Sequence, residues 1–183
     1  MTSFKVALIV GSLRKESFNR KIAHAITKLE IKNISFGLLN IGNLPLYNED
    51  LEKDVPIEWK NFREELQSFD AVLFVTPEYN RSVPGVLKNA LDVASRPYGK
   101  NIWDAKPAAI ISSTIGGLGA FGANHHLRQS LVFLNMPVLQ QPEAYISNAA
   151  SLFDETGELI NKSTQDFLKT FLEKFEAWVE RNI

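Results

Sequence analysis

Between Gly11 and Asn19 the chain reads GSLRKESFN, which puts two serine hydroxyls near the glycine, a guanidinium and a carboxamide directly behind the apolar run Val6–Val10. An amphipathic stretch follows at once, with Ile22, Ile26 and Leu29 at helical spacing. A tight turn between a buried strand and a helix leaves the first N–H groups of the helix unpaired at its positive end, which is a natural seat for an anion. Ser12, Ser17 and Asn19 add short donors and Arg14 adds charge. At about 1.5–3 kcal/mol for each charge-assisted bond, four or five donors hold a phosphate dianion firmly. Simple helix capping by Ser17 or Asn19 is the alternative, and it accounts for only one of these polar residues. The turn lacks the second glycine followed by Lys and Ser or Thr of a nucleotide triphosphate loop, and it lacks G-x-G-x-x-G. The terminal phosphate of a mononucleotide is therefore expected rather than ATP or a pyrophosphate.

A second loop, TPEYNRSVPGVLKNALD at 76–92, follows the apolar run Ala71–Val75. Pro77 and Pro84 restrict its backbone, so Glu78, Tyr79 and Asn80 lie in a stiff turn suited to bordering a planar ring. Glu78 has no partner in sequence for general-base work and is expected to be exposed or to cap backbone. A third loop, SSTIGGLGAFGANHHLRQ at 112–129, holds four glycines between Gly116 and Gly122. They allow close approach of backbone to a ligand, with consecutive free N–H groups facing negative charge on a ring; a merely flexible loop is the alternative. His125 and His126 are adjacent, so on a helix they diverge by about 100°, and no partner stands at i+4; packing or a subunit contact is expected, not a metal.

These loops need a frame to bring them together. Short continuous apolar runs at Val6–Val10, Ala71–Val75 and Ala108–Ile111 read as strands buried on both faces, with weaker ones at Ile34–Ile41, interrupted by Gly37, and at Pro137–Leu139. Helical patterns alternate with them: Leu87, Ala90, Leu91 and Ala94; a helix from Pro56 to about Ser68 carrying Trp59, Phe62 and Leu66; and a last helix with an apolar stripe from Phe167 to Val179, opened by Ser163 and Asp166 as a capping pair. Strand and helix alternating five times predict an α/β, doubly wound, five-stranded parallel sheet with helices on both faces. For the order 2-1-3-4-5 the ligand crevice lies between strands 1 and 3, at the carboxyl edge. Trp59, Trp103 and Trp178 are expected in the core.

The 183 residues fit one domain, 1–183, with no repeat or linker. Twenty basic and 21 acidic residues leave a net charge of -1, against a broad nucleic-acid surface. The absence of cysteine removes disulfides, thiolate metal sites and cysteine nucleophiles. No apolar run reaches the ~18–20 residues of a membrane span. The first residues read directly into a strand, so a cytoplasmic protein is expected and the N-x-S/T triplets at Asn33, Asn80 and Asn161 are taken as chance matches.

In order and spacing, GSLRKESFN, TPEYNRSVPGVLKNALD and SSTIGG resemble the NAD(P)H-dependent FMN reductase family of flavodoxin-like proteins, whose members include quinone, chromate and azo-dye reductases; the likeness runs from about Lys5 to Glu143. The resemblance implies that Ser12, Arg14, Ser17, Phe18 and Asn19 grip the FMN phosphate. It implies that Pro77, Glu78, Tyr79 and Asn80 border the isoalloxazine ring, and that Ser113, Thr114, Gly116 and Gly117 lie near its pyrimidine edge. Arg81 receives no cofactor role. The implied reaction is a two-step hydride relay from NADPH or NADH through bound FMN to an acceptor such as a quinone, with no catalytic side chain, in a homodimer or homotetramer. Alternatives are a flavodoxin-like FMN electron carrier, which a net charge of -1 disfavours, and a non-enzymatic flavin-binding module. A hydrolase using Ser12, Ser17 or Ser82 would lack the G-x-S-x-G elbow.

Overall fold

A computed structural model describes residues 3–183. Its five strands, β1 (Phe4–Val10), β2 (Ile34–Leu38), β3 (Ala71–Thr76), β4 (Ala108–Ser113) and β5 (Ala144–Ile146), all pair in parallel in the order β2-β1-β3-β4-β5. The helices are α1 (Phe18–Thr27), α2 (Ile57–Gln67), α3 (Gly85–Ala94), α4 (Phe121–Phe133) and α5 (Lys162–Asn182). Every residue of β3 and β4 is buried, which is why their sequences show unbroken apolar runs instead of alternation.

Successive side chains of a strand point to opposite faces, and the core divides accordingly. Val6, Leu8 and Val10 of β1 pack with α1 and α5, whose contributions include Ile22, Ile26, Phe171 and Phe175. Ala7 and Ile9 pack on the other face with α2, α3 and α4, among them Trp59, Leu66, Leu87 and Leu127. Trp59 and Trp103 are fully buried, and the partly buried Trp178 donates its indole N–H to the Pro137 carbonyl at 2.9 Å.

Three expectations need correction. The fifth strand lies at Ala144–Ile146, not Pro137–Leu139, where Val138 makes only an isolated bridge to Ala108. Pro137 and Pro142 have no N–H to give to a ladder, so pairing along β4 resumes only beyond Pro142, opposite Ile111–Ser113. The second strand stops at Leu38, not Ile41, while Leu39 and Ile41 still turn into the core. A Cβ on Gly37 would stand 2.7 Å from the Phe69 ring, so a side chain there would have to displace that ring. Finally, α5 is capped by Asn161, whose Oδ1 accepts from the Thr164 amide at 2.9 Å; Ser163 lies inside the helix and Asp166 pairs with Lys162 at 2.7 Å.

Candidate active site

Neighbouring strands end level with one another, Val10 beside Val75 and Thr76 beside Ser112, so the loops after β1, β3 and β4 emerge side by side at the carboxyl edge. Between β1 and β3 the chain order reverses, with α1 on one face and α3 on the other, and this opens a crevice.

The first loop forms one wall. Gly11 donates its amide to Val75 at 2.9 Å and must lack a side chain, because a Cβ would lie 2.8 Å from Thr76 Oγ1. Ser12 and Ser17 are both almost fully buried, yet neither hydroxyl finds a partner among the described residues. Ser17 occupies the N-cap position of α1 without a side-chain cap bond, so the capping alternative does not account for it. The amides of Phe18, Asn19 and Arg20 open the helix and are free by its geometry. Arg14 is exposed beside them and has no ion pair among the described residues. Phe18 anchors the turn by stacking on Phe153 at 6.1 Å. Unpartnered hydroxyls and open amides beside a helix N-terminus, with a free guanidinium at the rim, suit a dianion.

Asn19 reaches across the crevice floor. Its Nδ2 donates to the Ser113 carbonyl at 3.3 Å, linking the start of α1 to the end of β4. Asn19 Oδ1 and Ser113 Oγ are buried with no partner among the described residues.

The second loop is a tight reversal. Tyr79 and Ser82 exchange backbone hydrogen bonds at 3.0 Å each way, and both intervening residues, Asn80 (φ 52°) and Arg81 (φ 65°), are left-handed. Tyr79 is half exposed at the mouth of the crevice. The Glu78 side chain is nearly enclosed: Oε2 accepts from the Ala123 amide at 3.0 Å in the first turn of α4, and Arg81 Nη1 stands 3.3 Å from Oε1. It therefore caps a helix, as the sequence suggested, and ties the second loop to the third.

The third loop differs from expectation in one respect. Its amides are not a continuous free row: Thr114 N donates to Ile146 at 3.1 Å and Gly116 N to Thr114 Oγ1 at 3.3 Å. This loop must also hold itself beside β5, and alternate amides are used to do so. Those of Ile115 and Gly117 remain uncommitted among the described residues. Nothing lies within 4 Å of a Cβ built on Gly116 or Gly117, so open space faces this backbone. Gly119 is a different case, with φ +57° and a would-be Cβ 2.7 Å from the Tyr145 backbone.

A buried polar chain behind this loop was not singled out from the sequence. Ser112 Oγ donates to the Gly119 carbonyl at 2.7 Å and accepts from Asn124 Nδ2 at 3.1 Å. Asn124 Oδ1 accepts from Arg128 Nε at 3.0 Å, and Arg128 Nη1 reaches the Leu139 carbonyl at 2.9 Å. The signal was available, since Asn124 falls at i, i+3 and i+7 with the buried Leu127 and Leu131.

The two histidines part company. His125 Nε2 meets the Tyr145 hydroxyl at 2.9 Å and His126 Nδ1 meets Ser82 Oγ at 2.9 Å. No carboxylate reaches His126 among the described residues, so Ser82 and His126 form a pair and not a triad. Burial, with Glu143 nearby, pushes the Tyr145 phenol up to about 12.

Residues 4–151 match the family model for NADPH-dependent FMN reductase. The chain is 58% identical over 180 residues to a quinone reductase of Pseudomonas putida, covering 98% of this chain and 96% of that one. It is 45% identical to a 2-hydroxy-1,4-benzoquinone reductase of Burkholderia sp, with 97% of each chain covered. Among solved structures, the flavoenzyme NAD(P)H:(acceptor) oxidoreductase FerB from Paracoccus denitrificans superposes with a TM-score of 0.92 at 42% identity, covering 98% of each chain.

Proposed function

The chain belongs to the NADPH-dependent FMN reductase family and is an FMN-dependent NAD(P)H oxidoreductase, and from that premise we propose how residues 1–183 work as one flavin-binding domain. When bound, FMN supplies the redox chemistry, receiving hydride from NAD(P)H and delivering it to a quinone-type acceptor, so the chain contributes no nucleophile. The observation that carries the site assignment is the set of unsatisfied donors at the start of α1, facing the crevice between β1 and β3.

Ser12, Ser17, the first amides of α1 and Arg14 would hold the phosphate, with Phe18 and Asn19 fixing the turn that presents them. The fit is chemical: the Ser12 and Ser17 hydroxyls have no protein partner among the described residues and are free to donate, and a phosphate offers several acceptors. The Pro77–Asn80 turn would border the ring on one side. The segment Ser113–Gly117 would border it on the other, where the absence of side chains at Gly116 and Gly117 lets a flat heterocycle lie against backbone. The uncommitted amides of Ile115 and Gly117 would stabilise negative charge at the ring edge without reorganising. Tyr79, Ile115, Leu118 and Phe121, all exposed apolar side chains on these loops, would give a planar acceptor an apolar rim.

Assembly as a homodimer or homotetramer is part of the proposal, supported by the exposed Val132 and Phe133 of α4, which are 72% and 90% accessible. So is action in the cytoplasm, where reduced pyridine nucleotide is supplied. The test is the visible spectrum of purified protein, with and without NADPH or NADH under anaerobic conditions, followed by steady-state oxidation with a quinone. A yellow protein that bleaches and turns over quinone is expected. A yellow protein with no quinone-dependent turnover would make it a carrier, and a colourless one that cannot be reconstituted would end the assignment.

A further inference from the structure

At the opposite edge of the sheet, α2, the segment after α3 and the approach to β4 line an open cavity of ≈ 760 Å³. Ligand pockets typically span about 300–1,000 Å³. Four of its lining residues are cations, Arg63, Arg96, Lys100 and Lys106, against a single acid, Asp104. Within the lining, cations therefore predominate, with Glu49, Glu52 and Asp70 standing behind them.

Internal partners neutralise only part of this positive charge. Arg96 is answered by Glu49 at 3.3 Å and Glu52 at 3.0 Å. Asp104 accepts from Asn135 Nδ2 at 2.7 Å. Arg63 donates Nε to the Val93 carbonyl at 2.9 Å, but its Nη2 is buried with no partner among the described residues. Lys106 Nζ donates to the Phe69 carbonyl, and Lys100 is exposed. Arg63, Lys100 and Lys106 therefore lack an ion-pair partner among the described residues. Burial pulls both Arg63 and Lys106 below their ordinary values, with Glu52 and Asp70 opposing it, so the charged forms are held at a cost that an anion would offset.

We propose that this cavity is a second ligand site, remote from the flavin crevice, for a diphosphate-type anion held by Arg63, Lys100 and Lys106. A planar guanidinium with two point-charge ammonium groups suits oxygens spread over two phosphoryl groups. The cavity is also roomier than one tetrahedral ion needs.

The test is calorimetric titration of the FMN-loaded full chain with inorganic pyrophosphate, inorganic phosphate and methyl diphosphate, each against sodium chloride of matched ionic strength. Backbone amide shifts of residues 96–106 are followed in parallel. Pyrophosphate should bind saturably and about tenfold tighter than phosphate, with shifts in that segment and around Arg63 of α2 and none at the flavin crevice. Whether methyl diphosphate equals or falls below pyrophosphate distinguishes an esterified from a free ligand. Lys100→Glu, on an exposed loop, and Lys106→Met should each weaken binding by about tenfold while flavin absorbance and NADPH oxidation stay at the parent level. A response no larger than that of chloride, binding unchanged in both variants, or binding that expels flavin would each overturn the proposal.

Discussion

Glu78 Oε2 accepts a hydrogen bond from the Ala123 amide at 3.0 Å, so a carboxylate from the loop after β3 sits on the positive end of α4. A Cβ on the intervening Gly122 would stand 2.9 Å from that oxygen, so the glycine permits the approach. Two of the three crevice loops are thereby one unit. Replacing Glu78 with Ala removes the cap and should cost about 1 kcal/mol of stability. Thermal melts of the flavin-free chain read that cost, and flavin fluorescence titration should show weaker FMN binding as the two loops separate. Equal melting of parent and variant would mean the contact contributes nothing in solution.

Arg14→Ala tests the other wall. Loss of one charge-assisted contact should raise the dissociation constant for FMN by about 10- to 100-fold, and added salt should weaken the parent more than the variant. Retention of flavin undiminished by the substitution would take Arg14 out of the cradle.

Gly116 and Gly119 lie three positions apart in the same loop and should behave oppositely. Gly119→Ala meets the Tyr145 backbone and a left-handed φ, and should lower stability by about 1–3 kcal/mol. Gly116→Ala enters open space and should leave denaturant unfolding of the flavin-free chain unchanged, yet reduce FMN affinity because the new methyl occupies the face where the ring would lie. Denaturant melts and flavin titrations on the same pair of variants separate the two roles.

Asn124→Ala interrupts the chain from Gly119 to Leu139. It leaves Ser112 Oγ without a donor and Arg128 Nε without an acceptor inside the protein, and the loss should be about 2–3 kcal/mol, read as a shifted urea midpoint. Asn124→Asp keeps the acceptor for Arg128 but loses the donor to Ser112, so it should recover part of that loss.

Tyr145 carries a pH dependence of known sign. Its folded value of about 12 lies above the ordinary 10.0, so the native state holds this proton more tightly than the unfolded chain does. The resulting stability is fully present below pH 10 and is lost as pH rises towards 12. Burial and the hydrogen bond to Glu52 raise Tyr47 as well, so spectrophotometric titration should show late ionisation from both, and Tyr145→Phe should remove the Tyr145 part of it and its share of the alkaline loss.

Much of the frame could be read from residue type. Unbroken apolar runs located β1, β3 and β4, because strands covered on both faces have no polar side to display. The weak elements were harder. Proline at 137 and 142 pushed β5 downstream of the apolar segment Pro137–Leu139 that resembled it, since pairing depends on a free N–H and not on hydrophobicity. At α5, Ser163 and Asn161 are both competent caps by type, and the folded helix starts at Lys162, which leaves Asn161 at the cap and Ser163 inside.

For the site, local sequence determined which chemistry was on offer. Hydroxyls and a guanidinium crowd the first turn, prolines stiffen the second, and glycines bare the third. Adjacency at the carboxyl edge followed from parallel order alone. What tertiary structure decided was which of these groups are already used: Thr114 and Gly116 amides are committed while those of Ile115 and Gly117 are not, and Glu78 is a cap. Residue type states a group's bonding capacity, but whether that capacity is spent depends on partners far away in the chain, such as Glu78 with Ala123 or Asn19 with Ser113, and those distances exist only once the chain has folded.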